Sequence, residues 1–340
     1  MIGLLLLSVI CLAGTAWVTR VLNGRAAKKL NQQLQALHNY HEVVILMPVC
    51  ARPRYLQQVL AGLADAPGIE NTLVIFSQDG SNPHVRRLIE QWKAGPSLVV
   101  QHVRPFLGLF CYFWDSDNAA GSNIYFLLNQ AFLQTRAKGC VVLEEDILPA
   151  RDFILYYQWI FRHVLISPDI MSVTAFNLNS RPSPIHGHDP LQHPYELVED
   201  QDHGQPRFTG WSWGLTREMW KRLKKYWTFR NWDINLDRVM RQKGLKALKP
   251  VLARAKNIGM QGGINFTESD QNPKWQEIVI NPQIPDYDHA PVLLGHEGCI
   301  VPYEDISETG IQNQREKNRK KRVMLVFLAL VWILLEWQLF

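Results

Sequence analysis

Val141-Val142-Leu143-Glu144-Glu145-Asp146 sets a short apolar run directly against three acids. An aliphatic run of this length reads as a buried strand, here the fourth of the chain, ending in the acids. Three adjacent carboxylates at a strand end repel one another and are costly unless a cation sits among them. A divalent metal is the simplest compensation, and a diphosphate-linked ligand would complete its incomplete protein cage. The same residues also suit a solvated loop or a helix N-cap, since Pro149 and a helical stretch follow.

Upstream, VVILMPV (Val43–Val49) reads as a first buried strand, and Tyr55–Leu63 has helical spacing. LVIF (Leu73–Phe76) is a second strand, ended by Ser77-Gln78-Asp79-Gly80. A helix around His84–Trp92, a third strand at Leu98–Val103 and a helix over 121–136 follow. This alternation predicts a parallel α/β sheet. Ligands of such sheets sit beyond the carboxyl ends of the strands. Arg52, just after the first strand, is placed to meet a phosphate or to make an ordinary surface pair. Asp79 suits a ribose hydroxyl, a base edge or a turn cap.

Downstream, residues 180–207 are rich in Pro, His, Asp and Gly and read as a long loop. The aromatic stretch FTGWSWGL (Phe208–Leu215), a helix over Arg217–Tyr226 and another over 233–243 come next, and 260–315 lack strong periodicity. Asp233 and Asp237 stand four apart, on one helix face. A carboxylate beside Trp232 suits a general base; capping, or pairing with Arg238 or Arg241, is the alternative. Trp211, Trp213, Trp220, Trp227 and Trp232 read as core or as a platform for a sugar or base. His186 and His188 match no zinc spacing.

The 340 residues, 47% hydrophobic and 20% charged, suffice for one large domain or two small ones. The net charge of +5 concentrates beside two apolar segments, Ile2–Val18 and Val323–Phe340, which argues against nucleic-acid binding. Both segments have near the minimum length of a membrane span. Arg20, Arg25, Lys28 and Lys29 follow the first; Arg315, Lys317, Arg319, Lys320, Lys321 and Arg322 precede the second. The positive-inside rule then puts the intervening domain in the cytoplasm. The expected organisation is an N-terminal anchor over 1–19, a stalk over 20–41, a catalytic domain over 42–315 (donor half 42–150, acceptor half 151–315) and a C-terminal anchor over 323–340. Five dispersed cysteines without a CxxC pair argue against a structural zinc site and against a disulfide framework, and fit a reducing compartment. No Gly-rich, Lys-bearing loop follows the first strand, against a nucleotidyltransferase. A paired-carboxylate glycosidase would need no nucleotide pocket.

Taken in order, these motifs over 43–265 resemble glycosyltransferase family 13, which includes N-acetylglucosaminyltransferase I and protein O-mannose N-acetylglucosaminyltransferase. Cys50-Ala51-Arg52 stands where the family has Cys-Asp-Arg, and Ser77-Gln78-Asp79 is its uridine-contacting triplet. Glu144-Glu145-Asp146 with Asp152-Phe153 is similar to its Glu-Asp-Asp metal motif. Ser172–Asn179, Gly210–Trp220 and the run from Trp232-Asp233 through Lys243-Gly244, Pro250, Arg254 and Gly259 keep its order. The resemblance implies an α/β GT-A glycosyltransferase fold with a Rossmann-like nucleotide-binding sheet, here flanked by terminal transmembrane helices. It implies inverting transfer from a UDP-sugar, UDP-GlcNAc above all, to a glycan or lipid-linked acceptor. Asp146 would hold Mn²⁺ or another divalent cation, Arg52, Asp79, Glu144 and Glu145 would bind the donor, and Asp233 would be the base, with Asp237 in reserve. The family's two acids, or Trp-Asp-Met, at the base position are reduced here to Asp233, and its Pro-Gly segment has become Thr-Gly-Trp-Ser-Trp. Family members are Golgi proteins with one anchor and a lumenal domain, an alternative to the cytoplasmic placement. Another nucleotide sugar as donor, or a non-catalytic glycan-binding role, are the alternative functions.

Overall fold

The computed structural model describes residues 2–37, 42–103, 116–165, 167–180, 194–202, 205–259, 278–290 and 293–294. The expected C-terminal anchor, its basic flank, His186 and His188 lie outside them.

The first half alternates strands and helices: α1 (Ile2–Leu37), β1 (Val43–Val49), α2 (Pro53–Ala64), β2 (Leu73–Asp79), α3 (Pro83–Gln91), β3 (Ser97–His102), α4 (Ser116–Gln134) and β4 (Gly139–Val142). Then come β5 (Ile147–Pro149), α5 (Phe153–His163), β6 (Ile170–Thr174), β7 (Glu196–Glu199), β8 (Gln201–Asp202), β9 (Gln205–Pro206) and β10 (Trp213–Thr216). The described chain closes with α6 (Arg217–Leu223), α7 (Trp232–Gln242), β11 (Lys246–Pro250), β12 (Ala255–Asn257) and β13 (Leu293–Leu294). Nine strands form one mixed sheet in the order β13-β7-β11-β6-β10-β4-β1-β2-β3. β3, β2, β1 and β4 run parallel, and β10 enters antiparallel between β4 and β6. The fold is therefore mixed α/β around a mainly parallel sheet.

Strand alternation divides the core into two layers. Val43, Ile45, Met47 and Val49 pack beneath α2 and α5; Val44 and Leu46 face α4 and α7. α2 begins with Pro53, whose missing N–H is harmless at a helix start, and buries Leu56, Val59, Leu60 and Leu63 at helical spacing.

Three expectations change. Ser77-Gln78-Asp79 is not a loop after β2 but its buried last three residues, because Ser77 exchanges hydrogen bonds with Asn123 of α4. The loop expected over 180–207 contains β7, β8 and β9, β7 being stitched to β11. Residues 20–37, read as stalk, are the second half of one continuous α1, and Ala26, Leu30 and Leu34 pack into the core beside α4. Of the N-terminal anchor the helix is described, but most of its side chains are not. No helix among the described residues is long and apolar enough to cross a membrane.

Candidate active site

The carboxyl ends of β1, β2 and β4 open on the same edge of the sheet, and the charged residues of the sequence motifs meet there. β1 delivers Cys50 and Arg52. Cys50 N donates to Glu145 Oε2 at 2.8 Å, Arg52 Nε to Glu145 Oε1 at 2.9 Å, and Arg52 Nη1 to Asp146 Oδ2 at 2.7 Å. Glu145 and Asp146 are buried, while Arg52 keeps 28% of its side chain exposed. One guanidinium thus bridges two buried acids and still reaches solvent.

Glu144 completes the cluster. Burial, the neighbouring Asp146 and, to a smaller extent, the charges of Asp233 and Glu145 push its carboxyl up to about 8 against the pull of Arg52. Asp146 is raised for the same first reason, burial. Negative charge is therefore under-compensated here. Asp146 Oδ1 is buried with no hydrogen-bond partner. A buried, unpartnered carboxylate oxygen suits a hard divalent cation. Among the described residues no three His, Cys, Asp or Glu converge to form a cage, so such an ion would draw its other ligands from phosphate oxygens and water.

The backbone beyond β12 shapes this acid. Ile258 N donates to the Asp146 carbonyl at 2.9 Å, and Gly259 packs directly on the Asp146 carboxylate. Gly259 entered the sequence reading through spacing alone; its role, space for Asp146, has no local signal.

Asp233 opens α7 and is half-buried, with Ile234 N donating to its Oδ1 at 2.8 Å. Burial raises its carboxyl above the ordinary value, and its charge adds to the rise of Glu144. Gly210 lies against Trp232 and Asp233, bringing the aromatic stretch to the base candidate. Asp237 points elsewhere: its Oδ1 accepts Phe208 N at 2.8 Å and its Oδ2 pairs with Arg241 at 2.7 Å. Trp232 is stacked between Trp227 and Trp213, at centroid distances of 5.4 and 5.8 Å. That makes the set chiefly core.

Asp79 ends β2 one strand away from Cys50, beside His102 of β3. Asp152, from the Asp-Phe pair, is not part of the acid cluster. It is fully buried against Arg254 at 3.2 Å, Tyr287 at 2.8 Å and Asn281 at 2.6 Å, and ties the 278–290 segment to α5.

The model of the GNT-I family matches residues 18–289. The chain belongs to the GNT-I family. The match covers more than the 43–265 carried by motifs and includes the docked half of α1. Among relatives, the alpha-1,3-mannosyl-glycoprotein 2-beta-N-acetylglucosaminyltransferase of Arabidopsis thaliana is 23% identical over 249 residues, 70% of this chain. This GNT-I family chain spans 52% of that relative's length. Solved structures with some likeness include a mannosyltransferase, PcManGT, from Pyrobaculum calidifontis, in complex with GDP-Man and Mn²⁺ (15% identity, 70% of this chain and 66% of that one, TM-score 0.40). S. aureus TarS 1–349 is another (12% identity, 63% and 59%, TM-score 0.43).

Proposed function

We propose that this chain is an inverting glycosyltransferase of GT-A architecture. It moves a sugar, GlcNAc from UDP-GlcNAc, to a hydroxyl of a glycan or lipid-linked acceptor, with Mn²⁺ or another divalent cation as cofactor. Membership of the GNT-I family supports the reaction class. The observation that carries the assignment is the acid cluster at the strand ends, with Asp146 Oδ1 buried and unpartnered.

In this reading Asp146 holds the cation. When bound, the cation neutralises charge on the departing nucleoside diphosphate. Arg52, steered by Glu145 and Asp146, offers its exposed guanidinium edge to a donor phosphate. Asp79 binds the nucleotide. Glu144 and Glu145 line the donor sugar and ribose. Asp233 takes the proton from the acceptor hydroxyl, which attacks the anomeric carbon from the face opposite the leaving group. The apolar segments 1–19 and 323–340 hold the chain at a membrane, and their basic flanks favour a cytoplasm-facing domain, a Golgi lumenal one being the alternative.

UDP release from a panel of nucleotide sugars, with Mn²⁺ or with EDTA, tests the reading. UDP-GlcNAc should be turned over in Mn²⁺ alone. Equal turnover in EDTA would remove the cation, and release from another sugar nucleotide only would replace the donor.

A further inference from the structure

Three buried polar side chains stand in a row at the ends of β2 and β3. His102 Nδ1 lies 3.2 Å from Asp79 Oδ1, and His102 Nε2 lies 3.3 Å from Ser122 Oγ in the second turn of α4. Their exposures are 1% for His102, 3% for Asp79 and 8% for Ser122. The sheet register puts Asp79 directly beside His102, and the Phe126 ring packs on the imidazole at 5.6 Å. The neighbouring Asn123 binds both the hydroxyl and the carbonyl of Ser77. Successive residues of α4 therefore clamp β2 and β3 where both strands end.

A carboxylate only accepts, so Nδ1 carries a proton toward Asp79. At Nε2 a neutral imidazole accepts from the Ser122 hydroxyl and an imidazolium donates to it. The connectivity is that of an acid–imidazole–hydroxyl set for nucleophilic catalysis. Its hydroxyl, however, lies on a helix packed against the sheet, and the row ends on the acid at the ligand-facing strand ends. The row thus acts outward, through Asp79.

We infer that His102, braced by Ser122, is a positioning residue that sets the carboxylate plane of Asp79 for a nucleobase carrying a ring N–H, as uracil does. A base that presents a lone pair at that ring position, as cytosine does, would face the carboxylate without a proton to share. The inference rests on the assignment of Asp79 to the nucleotide. Discrimination of this kind is steep, because a mismatched base leaves buried polar groups unpaired.

The test is calorimetric titration of the full chain with UDP and with CDP, each with Mn²⁺, alongside melting temperatures. His102→Leu should weaken UDP binding about 10- to 100-fold, the loss of one charge-assisted contact, and narrow the preference of UDP over CDP. His102→Asn, whose amide can replace Nδ1–H toward Asp79, should recover most of both. Ser122→Ala should fall between. If His102→Leu does not fold, His102→Asn and Ser122→Ala decide. Unchanged UDP affinity and unchanged UDP-to-CDP ratio in folded variants would overturn the inference while leaving the transferase reading intact. Failure of the unmodified chain to bind UDP would overturn both.

Discussion

Gly259 lies so close to Asp146 that a Cβ on residue 259 would stand 2.1 Å from Asp146 Oδ2. The acid keeps its place under Arg52 only because residue 259 has no side chain. Gly259→Ala should displace the carboxylate and, as misplacement of about 1 Å commonly costs about 10²-fold, lower Mn²⁺-dependent UDP binding and turnover to that extent. Titration of UDP with and without Mn²⁺ measures it. A variant with intact Mn²⁺ dependence would separate Asp146 from the cation.

Asp233 and Asp237 sit one turn apart on α7 but do different work. Asp233→Asn should cut kcat by about 10²–10⁴ and leave donor affinity unchanged. Asp237→Asn disturbs the acceptor of Phe208 N and the partner of Arg241, so its main effect should be a loss of about 1–3 kcal/mol in stability. Denaturant melts beside steady-state kinetics tell them apart. A kcat collapse in Asp237→Asn with full activity in Asp233→Asn would move the base four residues downstream.

Burial raises the Asp233 carboxyl above its ordinary 3.8. A base works deprotonated, so kcat/KM should fall on acidification with a limb above that value. The same shift has a stability sign. The folded state holds this proton to higher pH than the unfolded state, so Asp233 costs stability progressively as pH rises from 3.8 through its folded value. Asp233→Asn should therefore be the more stable protein at neutral pH. A less stable Asn variant there would contradict the raised value.

Arg254 and Asp152 are both fully buried, and Arg254 also lies over the Tyr156 ring at 5.2 Å. Removing one partner of a buried pair strands the other's charge. Arg254→Ala should cost about 3–5 kcal/mol, and Tyr287→Phe, which withdraws one donor from Asp152, about 1–3 kcal/mol. Chemical denaturation checks both; an effect of Arg254→Ala below that of Tyr287→Phe would show that the pair is not the centre of the network.

The parallel half of the sheet was readable because its strands are continuous aliphatic runs buried on both faces, as in Val43–Val49. The second half was not. Lys246-Ala247-Leu248-Lys249-Pro250 has no aliphatic run to mark it, yet it is β11, with Lys249 buried on Asp200 at 2.9 Å. Its pairing with β6 and β7 is long-range and leaves no local periodicity. Likewise Trp213–Thr216 pairs with β4 and β6, just after Ser212 with its positive φ of 50°, and these partners are distant in sequence. Arg52, Glu144, Glu145, Asp146 and Asp233 do gather at one edge, since each follows or faces a strand end. The His102–Ser122 row was invisible because its members come from three elements, none with a distinctive spacing.

Asn23 offers its side-chain amide to Val103 from both ends, donating to the carbonyl at 3.0 Å and accepting from the N–H at 2.9 Å. It imitates the neighbouring strand that the sheet edge lacks. Together with the packing of Leu30, it makes α1 the cover of β3, the last strand in the sheet order. An uncovered, apolar edge of this kind templates association between molecules. Anyone shortening the protein to ease its handling should cut ahead of Asn23 and not at Val43. Light scattering should find the version starting at Val43 aggregated and the one retaining Asn23–Leu37 monodisperse.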